Sequence, residues 1–421
     1  MLVAFAIRMV VVIFTYRDLP DADKHFEAFG WEMGWIARAM ASGHGFSSPY
    51  YPITGPTAMQ PPLYPALLSL VFRIFGIYSM ASAFVILTIN CVLSTLISIP
   101  VYFSAKVPLG AQKARAAAWV WALYPFAIYF SAGRVWEYAL TGLLFTTCFC
   151  IAQRIDRTTN SWAWVGWGAL SGVTALSNPS TLATLPFLAG VAAWRARAAS
   201  SRLYRHRWLL NGALTLLTAA AVLTPWTVRN YRALGILCPV RDNFWLELYD
   251  DNLGDMSLDP SFAHPSSNPA EMKKFLAMGE PGFLAEKKSL ILVYLHQHPE
   301  FLVEKTLRRF LYYWTGFWSL SAQELREQPY EPGNIFYVCC MTFLMFAGIR
   351  QLWRSNRRAA LPYLVLVVFF PITYYFTHPL MDYREPIEPA IIVLAVSGAG
   401  AFVRTRSARP AVEEAPLTEH G

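Results

Sequence analysis

Charged side chains are scarce in this chain: they make up 15% of its 421 residues, and hydrophobic ones 55%. An average soluble domain carries roughly 25% charge, so the deficit excludes an ordinary water-soluble globule. Long alternating polar and apolar runs are missing too, which excludes a lipid-facing barrel. Paired cysteines are lacking: the six present form no Cys-x-x-Cys unit. That argues against a zinc site or a disulfide framework, and most read as small packing residues. No internal repeat is visible, which counts against an inverted-repeat transporter.

What the chain does have is continuous apolar runs from its first residue to about Val403. In hydrocarbon every backbone polar group needs an internal partner, which leaves helices. The fold class is therefore all-α: a polytopic transmembrane helical bundle of about ten spans. The first run, Leu2 to Tyr16, is short and carries Arg8 at its middle. No small-residue cleavage site follows, so it reads as a tilted first span or the end of a longer one, not a signal peptide. Further spans are expected at 80–104, 115–132, 138–153, 162–177, 180–194, 208–226, 334–350, 360–376 and 387–403.

Four regions follow from this pattern. Residues 1–226 form a transmembrane core with a first external loop at 17–79. Residues 227–333 form a long, partly helical external segment, 334–403 the C-terminal spans, and 404–421 a polar, disordered tail. Two interfacial helices are expected in the first loop, over Phe26 to Ala41 and Leu63 to Phe75. In the external segment, Pro269 to Ala277, Gly282 to His298 and Pro299 to Phe317 read as helical. Leu284, Lys288, Ile291, Leu292 and Leu295 mark an amphipathic face there.

The net charge of +8 reads as topology rather than nucleic-acid binding. Lys106, Lys113 and Arg115, then Arg154 and Arg157, then Arg195 to Arg207, then Arg350 to Arg358, then Arg404 to Arg409 fall in alternate loops. By the positive-inside rule these loops and both termini are cytoplasmic. Most acidic residues lie on the other face.

Four constellations on that face could carry chemistry. The first loop holds Asp21, Asp23, Glu27 and Glu32, of which Glu32 sits among apolar neighbours. A partly desolvated carboxylate suits a general base. Arg134, Trp136 and Glu137 occupy a short link between spans. Pro225 to Arg232 reads as a span end from which Arg229 and Arg232 emerge, and arginine suits phosphate. His378 to Pro389 is a turn dense in charge and proline, containing Asp382, Tyr383 and Arg384. Solvated faces, snorkelling arginines and interfacial anchors are the plain structural alternatives for these groups. Carboxylates and arginines on one membrane face fit transfer from a lipid-linked phosphate donor: arginines neutralise the leaving group and a carboxylate deprotonates the acceptor.

The stretches Gly30-Trp-Glu-Met-Gly-Trp-Ile-Ala-Arg to Tyr50, Gly55 to Pro65, Asn178-Pro179, Pro225-Trp-Thr-Val-Arg-Asn-Tyr231 and Tyr383-Arg-Glu-Pro-Ile-Glu-Pro389 resemble, in order, glycosyltransferase family 39. That group includes protein mannosyltransferases and the lipid A aminoarabinose transferase. The resemblance implies a GT-C fold in a bacterial inner membrane, with periplasmic amphipathic helices and an inverting transfer from a polyprenyl-phosphate-linked sugar to an acceptor hydroxyl. By position Glu32 matches the catalytic base and Glu137 the second acidic site. Arg229 and Arg384 match the donor-phosphate contacts, with Arg134 beside them. Asp23, Tyr64, Asn178, His378 and Tyr383 complete the set as substrate contacts. Relatives more often carry Asp at the Glu32 position, and the lysine some carry later in the loop is replaced here by Gln60 and prolines. No cofactor is required by the sequence, and a divalent cation is compatible with it. The acceptor, whether protein, lipid or polysaccharide, is not specified; no nucleic acid is expected. A flippase of lipid-linked material and a non-catalytic binder of such sugars are the competing readings. Few span-centre charges disfavour the first.

Overall fold

The computed structural model describes residues 1–19, 29–50, 53–199, 207–253, 264–321, 326, 331–377 and 380–407. Among them the regular structure is helical apart from one isolated bridge, Ser47 to Pro56. In chain order the helices are α1 (Leu2–Thr15), α2 (Glu32–Ala41), α3 (Leu63–Phe75), α4 (Met80–Leu96), α5 (Ser98–Leu109), α6 (Ala111–Ala122), α7 (Pro125–Gly133), α8 (Tyr138–Ala152), α9 (Ser161–Ala175), α10 (Leu185–Ala199) and α11 (Arg207–Leu234). Then come α12 (Phe244–Asn252), α13 (Pro269–Gln297), α14 (Pro299–Thr315), α15 (Glu331–Ser355), α16 (Arg357–Phe369), α17 (Ile372–Phe376) and α18 (Glu388–Ser407).

Among the described residues, five stretches are long and apolar enough to cross a bilayer: Met80–Leu109, Tyr138–Arg157, Arg207–Leu234, Pro332–Ser355 and Arg357–Phe376. A sixth results if α6 and α7, bent by 43°, count as one. The ten expected spans are therefore not all full-length helices. At 14 and 15 residues, α1, α9 and α10 rise only about 21–23 Å against a hydrocarbon core of about 30 Å.

Arg8 finds its reason at the α6–α7 bend. Pro125 opens α7 without an N–H to donate, so carbonyls at the end of α6 lack their usual partners. The fully buried Arg8 guanidinium donates to Ala122 O at 2.9 Å and to Trp121 O at 3.5 Å. It also donates to Ser94 Oγ at 3.1 Å and Ala4 O at 3.1 Å. Elsewhere small residues allow backbones to meet. A side chain at Gly348 would strike Leu394 O, and one at Gly398 would strike Leu344 O, so α15 and α18 cross backbone to backbone. Gly168 and Gly172 do the same for α9 against α11.

The external helices follow expectation with three changes. First, α2 begins at Glu32, because Gly30 and Trp31 take positive φ values of 82° and 51°; the expected start at Phe26 lies outside the described residues. Second, α13 (Pro269–Gln297) is two helical stretches joined across a kink at Gly279, whose φ of 68° is left-handed, as the separate runs Pro269 to Ala277 and Gly282 to His298 predict, but with the second ending at Gln297. Its buried face is Phe283, Leu284, Lys287 and Ile291, whereas Lys288 and Leu292 point outward. Third, α11 does not stop near Pro225 but continues to Leu234.

The basic loops gather at one end of the bundle. Arg195 pairs with Asp156 at 3.3 Å, Arg154 lies over the Phe103 ring at 5.4 Å, and Tyr363 donates to Ser104 O at 3.2 Å. From this end α8 runs to the opposite one. There Glu137, Asn178 and the 3-10 turn Met381–Ile387 meet.

Candidate active site

The first external loop and the α7–α8 link touch through a glycine. A Cβ on Gly30 would stand 2.5 Å from Val135 O, closer than any side chain tolerates. Glu32 and Glu137 each lie two residues beyond that contact.

Glu32 opens α2, where the helix N-terminus favours a negative side chain. Its Oε1 lies 3.2 Å from His264 Nε2, the two side chains being 13% and 15% exposed. His264 Nδ1 sits 2.5 Å from Ser266 Oγ, and Tyr50 meets the imidazole edge-on at 5.3 Å. Burial alone would lower the His264 pKa. The hydrogen bond and charge of Glu32, with the charges of Glu247 and Asp250, outweigh it and raise the value.

Glu137 is 6% exposed. Burial lifts its carboxyl to about 8, against the lowering influence of a backbone hydrogen bond, the Arg241 charge and Asn178. Asn178 explains the Asn-Pro pair. Its Oδ1 accepts from Ser180 N at 3.0 Å, capping the 3-10 turn Pro179–Ala183, while its Nδ2 donates to Glu137 Oε1 at 3.3 Å. Among the described residues the second Glu137 oxygen, also buried, has no hydrogen-bond partner.

Beside it, Asp382 faces Arg134 at 3.6 Å and accepts from the Tyr138 hydroxyl. Arg134 remains 47% exposed while Asp382 is 6% exposed, so the guanidinium has a free face. Tyr64 bonds Asn90 at 2.9 Å, and Asn90 donates to Arg134 O at 3.3 Å. Tyr383 stacks on Tyr374 with ring centroids 4.9 Å apart. Burial and the Glu388 charge raise the Glu385 carboxyl to about 8.

Arg241 and Glu247 pair at 3.4 Å, 31% and 25% exposed. The Glu247 charge acts on both His264 and Tyr383, and the Arg241 charge on both Glu137 and Tyr383. The Glu32–His264 group and the Glu137–Asp382–Arg134 group thus belong to one polar zone.

Two arginines expected at the phosphate are otherwise engaged. Arg229 donates to Thr57 O at 2.5 Å, to Phe46 O and to Asn230 Oδ1, and stacks on Trp226 at 4.9 Å. Because α11 extends past Pro225, this guanidinium sits on the helix flank and fastens the first loop. Arg384 is 1% exposed and paired with Glu388 at 2.5 Å. It also donates to Tyr313 O and Thr342 Oγ1, each at 3.3 Å. Asp23 and His378 lie outside the described residues. His264, Arg241, Glu247 and Tyr138 are partners that the sequence reading did not single out. Arg241 carried one signal, being the single Lys or Arg between Arg232 and Lys273. Among the described residues no group of three or more His, Cys, Asp or Glu could hold a metal ion.

The family model for dolichyl-phosphate-mannose-protein mannosyltransferases matches residues 59–226. No curated protein sequence matches the chain. Among solved structures, the oligosaccharyltransferase AglB of Archaeoglobus fulgidus, in complex with an inhibitory peptide and a dolichol-phosphate, aligns with a TM-score of 0.51 at 13% identity. The alignment covers 97% of this chain and 52% of that one. The apo form of the Archaeoglobus fulgidus oligosaccharyltransferase gives 0.52 at 14% identity, covering 96% and 51%. ArnT from Cupriavidus metallidurans bound to undecaprenyl phosphate gives 0.38 at 15% identity, covering 99% and 81%. The chain spans about half the length of the oligosaccharyltransferase whose fold it shares. This chain is accordingly a multi-pass helical membrane protein of the GT-C fold, with a segment similar to the dolichyl-phosphate-mannose-protein mannosyltransferases.

Proposed function

We propose that this protein is a membrane glycosyltransferase that moves a sugar from a polyprenyl-phosphate-linked donor to an acceptor hydroxyl, with inversion. The observation that carries the reading is the Gly30–Val135 contact, which sets the chain segment of Glu32 against that of Arg134 and Glu137, with the Arg241 charge acting on Glu137. The dolichol-phosphate in the AglB structure suggests the donor class.

In this reading Glu32 takes the proton of the acceptor hydroxyl as its oxygen attacks the anomeric carbon. The acceptor-oxygen to carbon bond forms on one face, while the bond from that carbon to the phosphate oxygen breaks on the other. The electron pair leaves with the polyprenyl phosphate, whose charge Arg134 and Arg241 meet. Glu137, largely protonated at neutral pH, donates a hydrogen bond to a sugar or acceptor oxygen. Tyr383, Asn178 and Tyr64 shape the site around it. The scheme assigns the phosphate to Arg134 and Arg241, 47% and 31% exposed beside Asp382 and Glu247, in place of Arg229, which holds the first loop's carbonyls, and Arg384, which is 1% exposed. No cofactor is needed in this scheme. We place the site on the non-cytoplasmic face, opposite the basic loops.

The test is transfer of labelled sugar by the purified protein in nanodiscs, offered a panel of polyprenyl-phosphate-linked hexoses and pentoses with membrane extract as acceptor. Product from at least one donor, lost in Arg134→Met, supports the reading. No product from any donor, or an unchanged rate in Arg134→Met, overturns it.

A further inference from the structure

Helix α14 is inside out for a helix in water. The side it turns inward carries Lys305 and Arg309, 0% and 3% exposed. Lys305 Nζ donates to Asp251 O at 2.6 Å. Arg309 donates to Asp251 O at 2.5 Å, Phe376 O at 2.8 Å and Asn252 Oδ1 at 3.0 Å. The side it turns outward is an apolar stripe at helical spacing: Val303, Leu307, Phe310 and Leu311, between 45% and 64% exposed. In water the opposite arrangement is favoured; large unpartnered apolar patches mark a surface that something else covers.

The depth of α14 says what covers it. Its C-terminal end lies along the span α15. Trp314 packs against Phe346 with ring centroids 6.2 Å apart, and Cys339 Sγ reaches Thr315 O at 3.5 Å. A Cβ at Gly316 would come within 3.7 Å of Val338. Phe346 stands fifteen residues after Glu331, the first residue of α15, which is about 22 Å along a helix. That span likewise turns Phe336, Phe343 and Phe346 outward. The opposite end of α14 carries Glu300 and Glu304, and Glu300 is 74% exposed on its side chain.

We propose that α14 is embedded in the leaflet on the side of the active site. Its Glu300–Glu304 end lies among the headgroups, and its stripe from Val303 to Leu311 rests against acyl chains. The helix is too polar to span, and its two buried cations are held by backbone carbonyls instead of by water. Lipid, not a protein partner, covers the stripe.

The test uses the full chain with Cys339→Ser and Cys340→Ser, reconstituted in phosphatidylethanolamine–phosphatidylglycerol vesicles. A nitroxide is placed singly by Glu304→Cys, Leu307→Cys and Leu311→Cys, all at outward positions. Power saturation compares collisions with oxygen, which partitions into lipid, and with a nickel chelate, which stays in water. The proposal expects the oxygen-to-nickel ratio to climb from 304 through 307 to 311. Nickel collisions dominating at 307 and 311 would overturn it. So would dipolar broadening at 307 that vanishes on dilution with unlabelled protein, since a second copy would then be the cover.

Discussion

Breaking the Arg384–Glu388 pair tests whether Arg384 is structural. The pair is at 2.5 Å with side chains 1% and 6% exposed, and Glu388 also accepts from the Tyr124 hydroxyl at 2.7 Å. Removing one partner of a buried ion pair strands the other charge and costs about 3–5 kcal/mol, whereas replacing both is often nearly neutral. Arg384→Met should therefore destabilise the protein strongly, and Arg384→Met with Glu388→Gln should recover most of the loss. At roughly 2 °C per kcal/mol for a large domain, the single variant's apparent melting temperature falls by on the order of 5–10 °C. The assay is thermal unfolding in nanodiscs, alongside binding of undecaprenyl phosphate at a temperature where every variant is folded. The double variant should bind within a few-fold of the parent protein. An unchanged melting temperature in Arg384→Met, or loss of binding in a stable double variant, would refute the reasoning and return Arg384 to the phosphate.

Glu137, with its folded pKa at about 8, lies above the ordinary carboxyl value of about 4.3. The folded state thus holds a proton that the unfolded state releases, and stability falls as pH rises between those values, by at most about 1.4 kcal/mol per unit. Glu137→Gln should remove that slope in melting scans from pH 5 to pH 8; an identical slope in both proteins contradicts the burial argument. A second acid pair clasps the first loop: Glu280 Oε1 accepts from Ala58 N at 2.6 Å and Asp242 N donates to Ala58 O at 3.1 Å. Burial holds Asp242 at about 6, and burial with the Asp242 charge pushes Glu280 well above the usual range. By the same sign, stability is lost as pH rises, so proteolytic cutting in the loop 46–60 should increase from pH 6 to pH 9 and be blunted in Glu280→Gln. Equal increase in both would contradict the clasp. Arg8→Met removes the donor to Ala122 O, whereas Trp121 O keeps the Tyr124 N–H at 3.2 Å; at roughly 1–3 kcal/mol for an orphaned group, it should lower the melting temperature by several degrees, and no change would contradict the capping role.

The bundle was legible because hydrophobic runs and the basic loops are long-range averages over many residues. The span count was less so, since hydropathy does not reveal that a run such as 162–177 folds into a 15-residue helix. Arg8 read as an anomaly for the same reason: its partners are the carbonyls of Trp121 and Ala122, and nothing local to Arg8 announces them. Within the site, Glu32, Arg134, Glu137, Asn178 and Tyr383 could be picked out by residue type and position. Their pairing could not. Whether Arg229 or Arg241 faces the open zone depends on a helix continuing through Pro225, and Pro225 itself points the other way. Likewise Arg384 and Asp382 share one turn, yet one is locked to Glu388 and the other looks toward Arg134. His264 reaches Glu32 from the far external segment, a contact that no spacing rule encodes.

The role of Glu32 as the base is most directly tested by single-turnover sugar transfer at saturating donor, comparing the parent protein with Glu32→Gln. A positioned general base contributes roughly 10²–10⁴-fold, so the rate should fall by that factor while donor affinity stays within about twofold. Full turnover by Glu32→Gln would contradict the account.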